Sequence, residues 1–175
     1  TEKGSIMVIV VFSNDEEKDV IKKMMSSIKE KFPQITSLMY CINKKMNDSL
    51  SDQEFILFSG EDFIMEYMPR YSEKLKDNSE QSNNPLQFKI RPKTFYQTNA
   101  PQALKLYTVA ASFAGITKED VVYDLYTGTG TIANFVANQA KKVIGIEYVE
   151  DAIEDAKINS KENGIDNTSF FAGDM

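Results

Sequence analysis

Val121-Val-Tyr-Asp-Leu-Tyr-Thr-Gly-Thr-Gly-Thr-Ile-Ala133 decides the fold. Val121 to Leu125 is a short, β-branched apolar run of strand type, and from Thr131 to Asn138 the apolar spacing becomes helical. Gly128 and Gly130 stand at the join, where a backbone without side chains lets a ligand approach closely. Downstream, Val143 to Ile146 reads as a strand, Ala152 to Asn163 as a helix capped by Gly164, and Thr168 to Ala172 as a third strand. Upstream, Asn99 and Pro101 start a helix with Ala103, Tyr107, Ala110 and Ala114 on one face, ended by Gly115. This β-α-β-α-β order predicts an α/β chain carrying part of a doubly wound parallel sheet. Three strands are few for such a sheet, so the expected domain is one truncated after its third strand, over residues 93–175.

Residues 1–92 read differently. Ile6 to Phe12 is a buried strand, and Ser13 to Glu16 fits a capping box ahead of the helical stripe Val20, Ile21, Met24, Ile28 and Phe32, which Pro33 stops. Ile35 to Ile42 is a second strand. Glu54–Phe58 and Phe63–Tyr67 read as a hairpin turned at Ser59-Gly60-Glu61, and Leu86, Phe88 and Ile90 alternate as a further strand. The sum is an antiparallel α+β module, interrupted by a polar stretch from Ser72 to Pro85 that has little to bury. Position 1 is not Met, which suggests a piece of something longer.

Composition removes whole classes of chemistry. The 175 residues include no His, no Trp and one Cys, Cys41, so no Ser-His-Asp or Cys-His site, zinc knuckle or disulfide framework can be assembled from them. Twenty Lys and Arg against twenty-six Asp and Glu give a net charge of -6, so nucleic acid would have to be held by a local patch. Lys44, Lys45, Lys89, Arg91 and Lys93, with Phe95 and Tyr96, are the candidate patch of a non-catalytic RNA-binding module. No apolar run has the ~18 residues of a spanning helix, and no signal peptide opens the sequence, so a cytoplasmic setting is expected. Cys41 lies in an apolar strand and reads as a small core residue.

Ligands of open α/β sheets bind at the carboxyl ends of the strands. Three acids fall there: Asp124 ahead of the glycines, Glu147 ending the next strand and Asp174 after the third. Glu147 suits the two hydroxyls of a ribose, and Asp174 the exocyclic amine of adenine. Gly128-x-Gly130-x-x-Ala133 also satisfies the dinucleotide fingerprint, which leaves an NAD-dependent oxidoreductase open. Asp124 favours a ligand with an ammonium and a sulfonium, as in S-adenosylmethionine, over one that presses a pyrophosphate on this loop.

Lys93-Thr-Phe-Tyr-Gln97-Thr-Asn99, Asp124-Leu-Tyr-Thr-Gly-Thr-Gly-Thr-Ile132, Ile146-Glu147 and Phe170-Phe-Ala-Gly-Asp174 together resemble the RNA uracil-5-methyltransferases, in particular their RumA-like 23S ribosomal RNA branch. The resemblance is dense from Gln87 onward and weaker before it. It implies a Rossmann-like domain in which Gln97, Tyr126 and Thr131 line the methyl-donor site while Glu147 and Asp174 hold the nucleoside. It also implies an RNA substrate, ribosomal before transfer RNA. The reaction it implies is addition of a Cys to carbon 6 of uracil, methyl transfer to carbon 5 and removal of the proton with help from a Glu. That nucleophile is expected beyond residue 175, so the 175 residues alone are expected to be inactive, with no metal site.

Overall fold

The computed structural model describes residues 4–45, 47, 49–50, 52–71 and 84–174. They form two compact units, one of residues 1–66 with 91–93 and one of residues 67–90 with 94–175.

In the first unit β1 (Met7–Phe12) leads through α1 (Lys18–Lys31) to β2 (Ser37–Ile42), and β3 (Ile56–Gly60) comes next. β1 pairs parallel with β2, and β2 pairs antiparallel with β3. The expected antiparallel module is therefore a mixed sheet. A helix separates β1 from β2, and a strand that returns by way of a helix crossover re-enters parallel. The 54–67 hairpin does not form either: β4 (Ile64–Met68) pairs with β5 (Leu86–Ile90) in a sheet separate from that of β3. Gly60 lies opposite Ser37 with φ +85°, and a Cβ there would sit 2.0 Å from the Thr36 carbonyl oxygen, so only glycine fits at this end of β3. α1 starts later than the capping-box reading, with Glu17 at the N-cap and no side-chain cap. Asn14 Oδ1 instead accepts from the Glu16 amide in a turn ahead of the helix. Ile21, Met25 and Leu38 are the core of this unit.

The second unit begins inside β4. Leu86 and Phe88 alternate into the same core as Phe135, Val143, Ile153, Ala156 and Phe170, so packing groups β5 with the C-terminal elements and not with residues 1–66. α2 (Ala100–Ala114) starts at Asn99, whose side chain accepts from the Gln102 amide, and ends at Gly115 with φ 58°. Then come β6 (Val121–Leu125), α3 (Thr131–Val136), β7 (Lys142–Glu147), α4 (Glu150–Glu162) and β8 (Thr168–Ala172). The three strands are parallel and lie in the order β6-β7-β8, as the β-α-β-α-β pattern requires. The polar 72–85 stretch lies largely outside the described residues. No described helix is long and apolar enough to cross a membrane.

α3 and α4 pack on the face of this sheet that carries Asp124, Val143, Gly145 and Phe170. Gly145 is the tight point: a Cβ there would meet Phe170 Cδ1 at 2.5 Å and Thr127 Oγ1 at 2.9 Å. On the other face the register lines up Leu125, Ile146 and Phe171, and Tyr123 with Ile144, and that face is open to solvent at Tyr123, Leu125 and Phe171. Gly145→Ala is expected to push the Phe170 ring off its seat and to destabilise the second unit by about 1–3 kcal/mol, the usual cost of overpacking. Denaturant unfolding monitored by circular dichroism measures this.

Candidate functional site

The site is built where β6 turns into α3. Asp124, the fourth residue of β6, is buried, and its Oδ2 accepts twice: from Thr127 Oγ1 at 2.6 Å and from the Ala133 amide at 3.0 Å. Ala133 is the third residue of α3, so one carboxylate closes the turn and also satisfies an N-terminal amide that the helix cannot pair internally. Burial raises the Asp124 pKa above the ordinary carboxylate value, with the bonds from Thr127 and Ala133 opposing that rise. The sequence places this carboxylate toward a cationic ligand; the structure turns Oδ2 inward, into the turn.

Between those anchors the loop stands up from the sheet edge. Tyr126 has φ 61°, the only positive φ outside glycine among the described residues, and its ring is 76% exposed. Gly128 has φ 54° with nothing within 4 Å of the Cβ position, so the backbone is bare on an open side. Gly130 has φ 75°, and a Cβ there would meet Asn134 Nδ2 and Phe170 Cζ at 3.0 Å and Ala156 Cβ at 3.1 Å. The two glycines thus do different work, Gly128 toward solvent and Gly130 toward the core. Thr131 is buried, with its hydroxyl 3.0 Å from that of Thr129.

Glu147 ends β7 beside this loop. Its Oε2 accepts from the Gly128 amide and its Oε1 from the Val149 amide, each at 3.1 Å. The Thr127 amide donates to the Ile146 carbonyl and the Gly173 amide to the Glu147 carbonyl, both at 3.0 Å, so the three strand ends are stitched into one rim. Asp174 stands next, on the exposed end of that rim. The structure therefore brings Asp124, Gly128, Gly130, Thr131 and Glu147 together at the carboxyl ends of β6 and β7. Gln97 is exposed in the segment between β5 and α2, outside this hydrogen-bonded cluster.

Several contributors escape a reading of strand ends. Phe170 and Gly145 set the height of the loop by packing beneath it. Asn159 of α4 is fully buried and its Nδ2 donates to the Thr129 carbonyl at 3.2 Å. Asn159 and Asn163 carry the signal that could have revealed this: amides four apart on an otherwise core-facing stripe of a helix. The candidate basic patch fares differently. Lys44 pairs with Asp15, Lys45 with Asp52, Lys89 with Glu162 and Arg91 with Asp62, so four of its five cations meet an acid.

Residues 116–175 match a family model described as a methyltransferase domain. The chain is 52% identical over 177 residues to a protein of Porphyromonas gingivalis named an uncharacterized RNA methyltransferase, covering 100% of this chain and 34% of that protein. A protein of the same name from Bacteroides thetaiotaomicron is 49% identical, covering 98% of this chain and 35% of its own length. The chain thus spans about a third of the length of the curated relatives it matches. Among solved structures, the Pyrococcus abyssi tRNA (uracil-54, C5)-methyltransferase in complex with S-adenosyl-L-homocysteine aligns with a TM-score of 0.60 at 24% identity, over 83% of this chain and 32% of that one. Trm5b of Pyrococcus abyssi aligns at 0.56 with 18% identity, over 97% of this chain and 46% of its own. At such identities the likeness is one of fold. The second unit has the Rossmann-like α/β fold of methyltransferases.

The raised pKa of Asp124 has a definite sign. The folded state holds the Asp124 proton more tightly than the unfolded state does, so this group favours folding at pH below its unfolded value near 3.8 and loses that contribution as pH rises through its higher folded value. Asp124→Asn keeps one oxygen to accept both bonds and removes the buried charge. Relative to wild type, the variant is expected to gain melting temperature at pH 7 over pH 4, measured by differential scanning calorimetry at both pH values.

Proposed function

We propose that the chain is the central module and the opening of the methyl-donor domain of an S-adenosylmethionine-dependent RNA methyltransferase that acts on carbon 5 of a uridine, with β5 on the donor-domain side by its packing. Ribosomal RNA of the 23S type is the substrate class. The observation that carries the donor reading is the position of Asp124 against α3. A dinucleotide-binding turn leaves the first amides of its helix free for pyrophosphate. Here the Ala133 amide already donates to a carboxylate of the chain itself, and a second anion at that helix end would meet like charge. A ligand without phosphate and with a cationic centre suits the same edge. The relatives named RNA methyltransferases support an RNA substrate and do not favour an oxidoreductase.

S-adenosylmethionine supplies an electrophilic methyl group when bound. The chain's own residues bind and orient it. Glu147, at the end of β7, accepts from both ribose hydroxyls with lone pairs beyond those used by Gly128 and Val149. Asp174 accepts from the adenine amine. Gly128 gives the nucleoside its bare approach, Tyr126 and Gln97 line the donor end, and Gly130 and Thr131 keep the loop against α3. Asp124 acts through the turn that it holds. Cys41 is fully buried in β2, and burial pushes its thiol above the ordinary value, so it does not serve as the thiolate that adds to uracil. The nucleophile lies in the remainder of the parent, and the 175 residues by themselves transfer no methyl group.

Calorimetric titration of the intact parent with S-adenosylhomocysteine and with NAD tests the donor, and nucleoside mass spectrometry for 5-methyluridine in 23S ribosomal and transfer RNA tests the acceptor. Binding of the homocysteine product and methylation of ribosomal RNA are expected; tighter binding of NAD sinks the reading. Glu147→Gln replaces one carboxylate oxygen by an amide donor, at a cost on the order of 1–3 kcal/mol in ligand hydrogen bonds. That corresponds to roughly five- to 150-fold in donor affinity. Affinity within twofold of wild type would take Glu147 out of the site.

A further inference from the structure

Along α4 the residues four apart on the buried stripe are Asp155, Asn159 and, at the helix end, Asn163. Apolar residues would be the ordinary choice for such a stripe, and each buried polar group here is costly unless paired. All three are paired, and their partners form a pattern. Asn163 faces Gln87 as a backbone would, its Oδ1 accepting from the Gln87 amide at 2.8 Å and its Nδ2 donating to the Gln87 carbonyl at 2.7 Å. Asn159 Oδ1 accepts from the Lys89 amide at 2.8 Å. Asp155 Oδ2 accepts from Thr94 Oγ1 at 2.9 Å. The helix therefore reads the edge of β5 at the alternate residues Gln87 and Lys89, in place of another strand, and meets Thr94 beyond the strand's end.

Asn159 differs from its neighbours because its other end leaves this edge. Its Nδ2 donates to the carbonyl of Thr129, between the two glycines of the loop. One fully buried amide thus spans β5, three residues short of the Pro92–Gln97 segment, and the loop that carries Gly128 and Gly130. Ala156, on the same helix one turn before, lies 3.1 Å from where a Gly130 Cβ would be, so helix and loop approach closely there as well.

We propose that Asn159 is a positioning residue for the donor site, fixing the Thr129 carbonyl and through it the orientation of the Gly128–Gly130 backbone, while Asp155 fixes Thr94 ahead of Gln97 from the same helix face. The assignment of a donor to this loop rests on the function proposed above. The chemistry requires an amide: a carboxylate can accept from the Lys89 amide but cannot donate to Thr129, and an aliphatic group can do neither. Asn163 makes comparable bonds to β5 without touching the loop, which makes it the internal control.

The experiment compares Asn159→Asp and Asn163→Ala with wild type in the intact parent, at a temperature well below all three melting points. Affinity for S-adenosylhomocysteine is measured by calorimetry, and amide exchange of the peptide covering residues 124–134 by mass spectrometry. Both variants are expected to lower the melting temperature. Only Asn159→Asp is expected to weaken the homocysteine ligand, by about fivefold to tenfold, and to speed exchange in the loop. A stabilising role alone would move melting temperature in both variants and leave ligand affinity and loop exchange untouched. Affinity within twofold of wild type together with unchanged loop exchange for Asn159→Asp overturns the proposal. Should wild type bind no S-adenosylhomocysteine, the donor reading falls, and loop exchange still decides whether Asn159 holds the loop.

Discussion

A single carboxylate oxygen, Asp124 Oδ2, closes the strand–loop–helix turn on which the second unit is organised. It is held at the end of β6 by the sheet, accepts from Thr127 within the loop, and accepts from Ala133 in the first turn of α3. The cost of burying a charge is offset only in part by these two bonds, since burial still raises the Asp124 pKa. With that oxygen in place, the Ala133 amide is already engaged by a carboxylate of the chain itself, and the backbone between Tyr126 and Gly130 arches over the turn. The left-handed φ values at Tyr126, Gly128 and Gly130 are the conformational consequence of that arch.

The arch is supported from below by shape. Phe170 of β8 crosses beneath it, and this is possible because positions 145 and 130 carry no side chain and position 156 carries only a methyl. Dense packing around an aromatic ring leaves one arrangement, so the loop height is set by β7, β8 and α4 together. The buried amides of α4 add direction to that fit, since hydrogen bonds specify orientation where apolar contact specifies only distance. Glu147 then meets the Gly128 amide across the gap between β6 and β7, and the rim of the site is a continuation of the parallel pairing beneath it.

The sequence was legible wherever its signal was local. Strand and helix periods, Asn99 as a helix start and Gly115 as its stop, Gly128 and Gly130 in the loop and the acids at strand ends all depend on a few neighbouring residues. The features that escaped depend on partners far along the chain. The direction of the Asp124 side chain is decided by Ala133 and by burial. The parallel pairing of β1 with β2 is decided by a helix crossover, whereas the apolar runs alone allowed either sense. Position 60 has to be glycine because the Thr36 carbonyl leaves no room for a side chain, and the hairpin reading treated it as an ordinary turn glycine. The roles of Asn159 and Asn163 could not be read locally because their partners, Lys89, Gln87 and Thr129, lie thirty or more positions away in sequence.

Charge bears on how a protein with this unit would hold RNA. Contacts to phosphate release counterions only where cations are available, and affinity then falls steeply with salt. Lys44, Lys45, Lys89 and Arg91 are each engaged by an acid of the same chain, and an exposed pair gains little from its own attraction, so exchanging an acid for a phosphate at these positions yields a small net gain. With a net charge of -6 over the 175 residues, long-range attraction to a polyanion is unfavourable as well. Under the function proposed above, the contribution left to the segment is the placement of a donor at a rigid sheet edge, held by a buried carboxylate, bare glycines and side-chain amides.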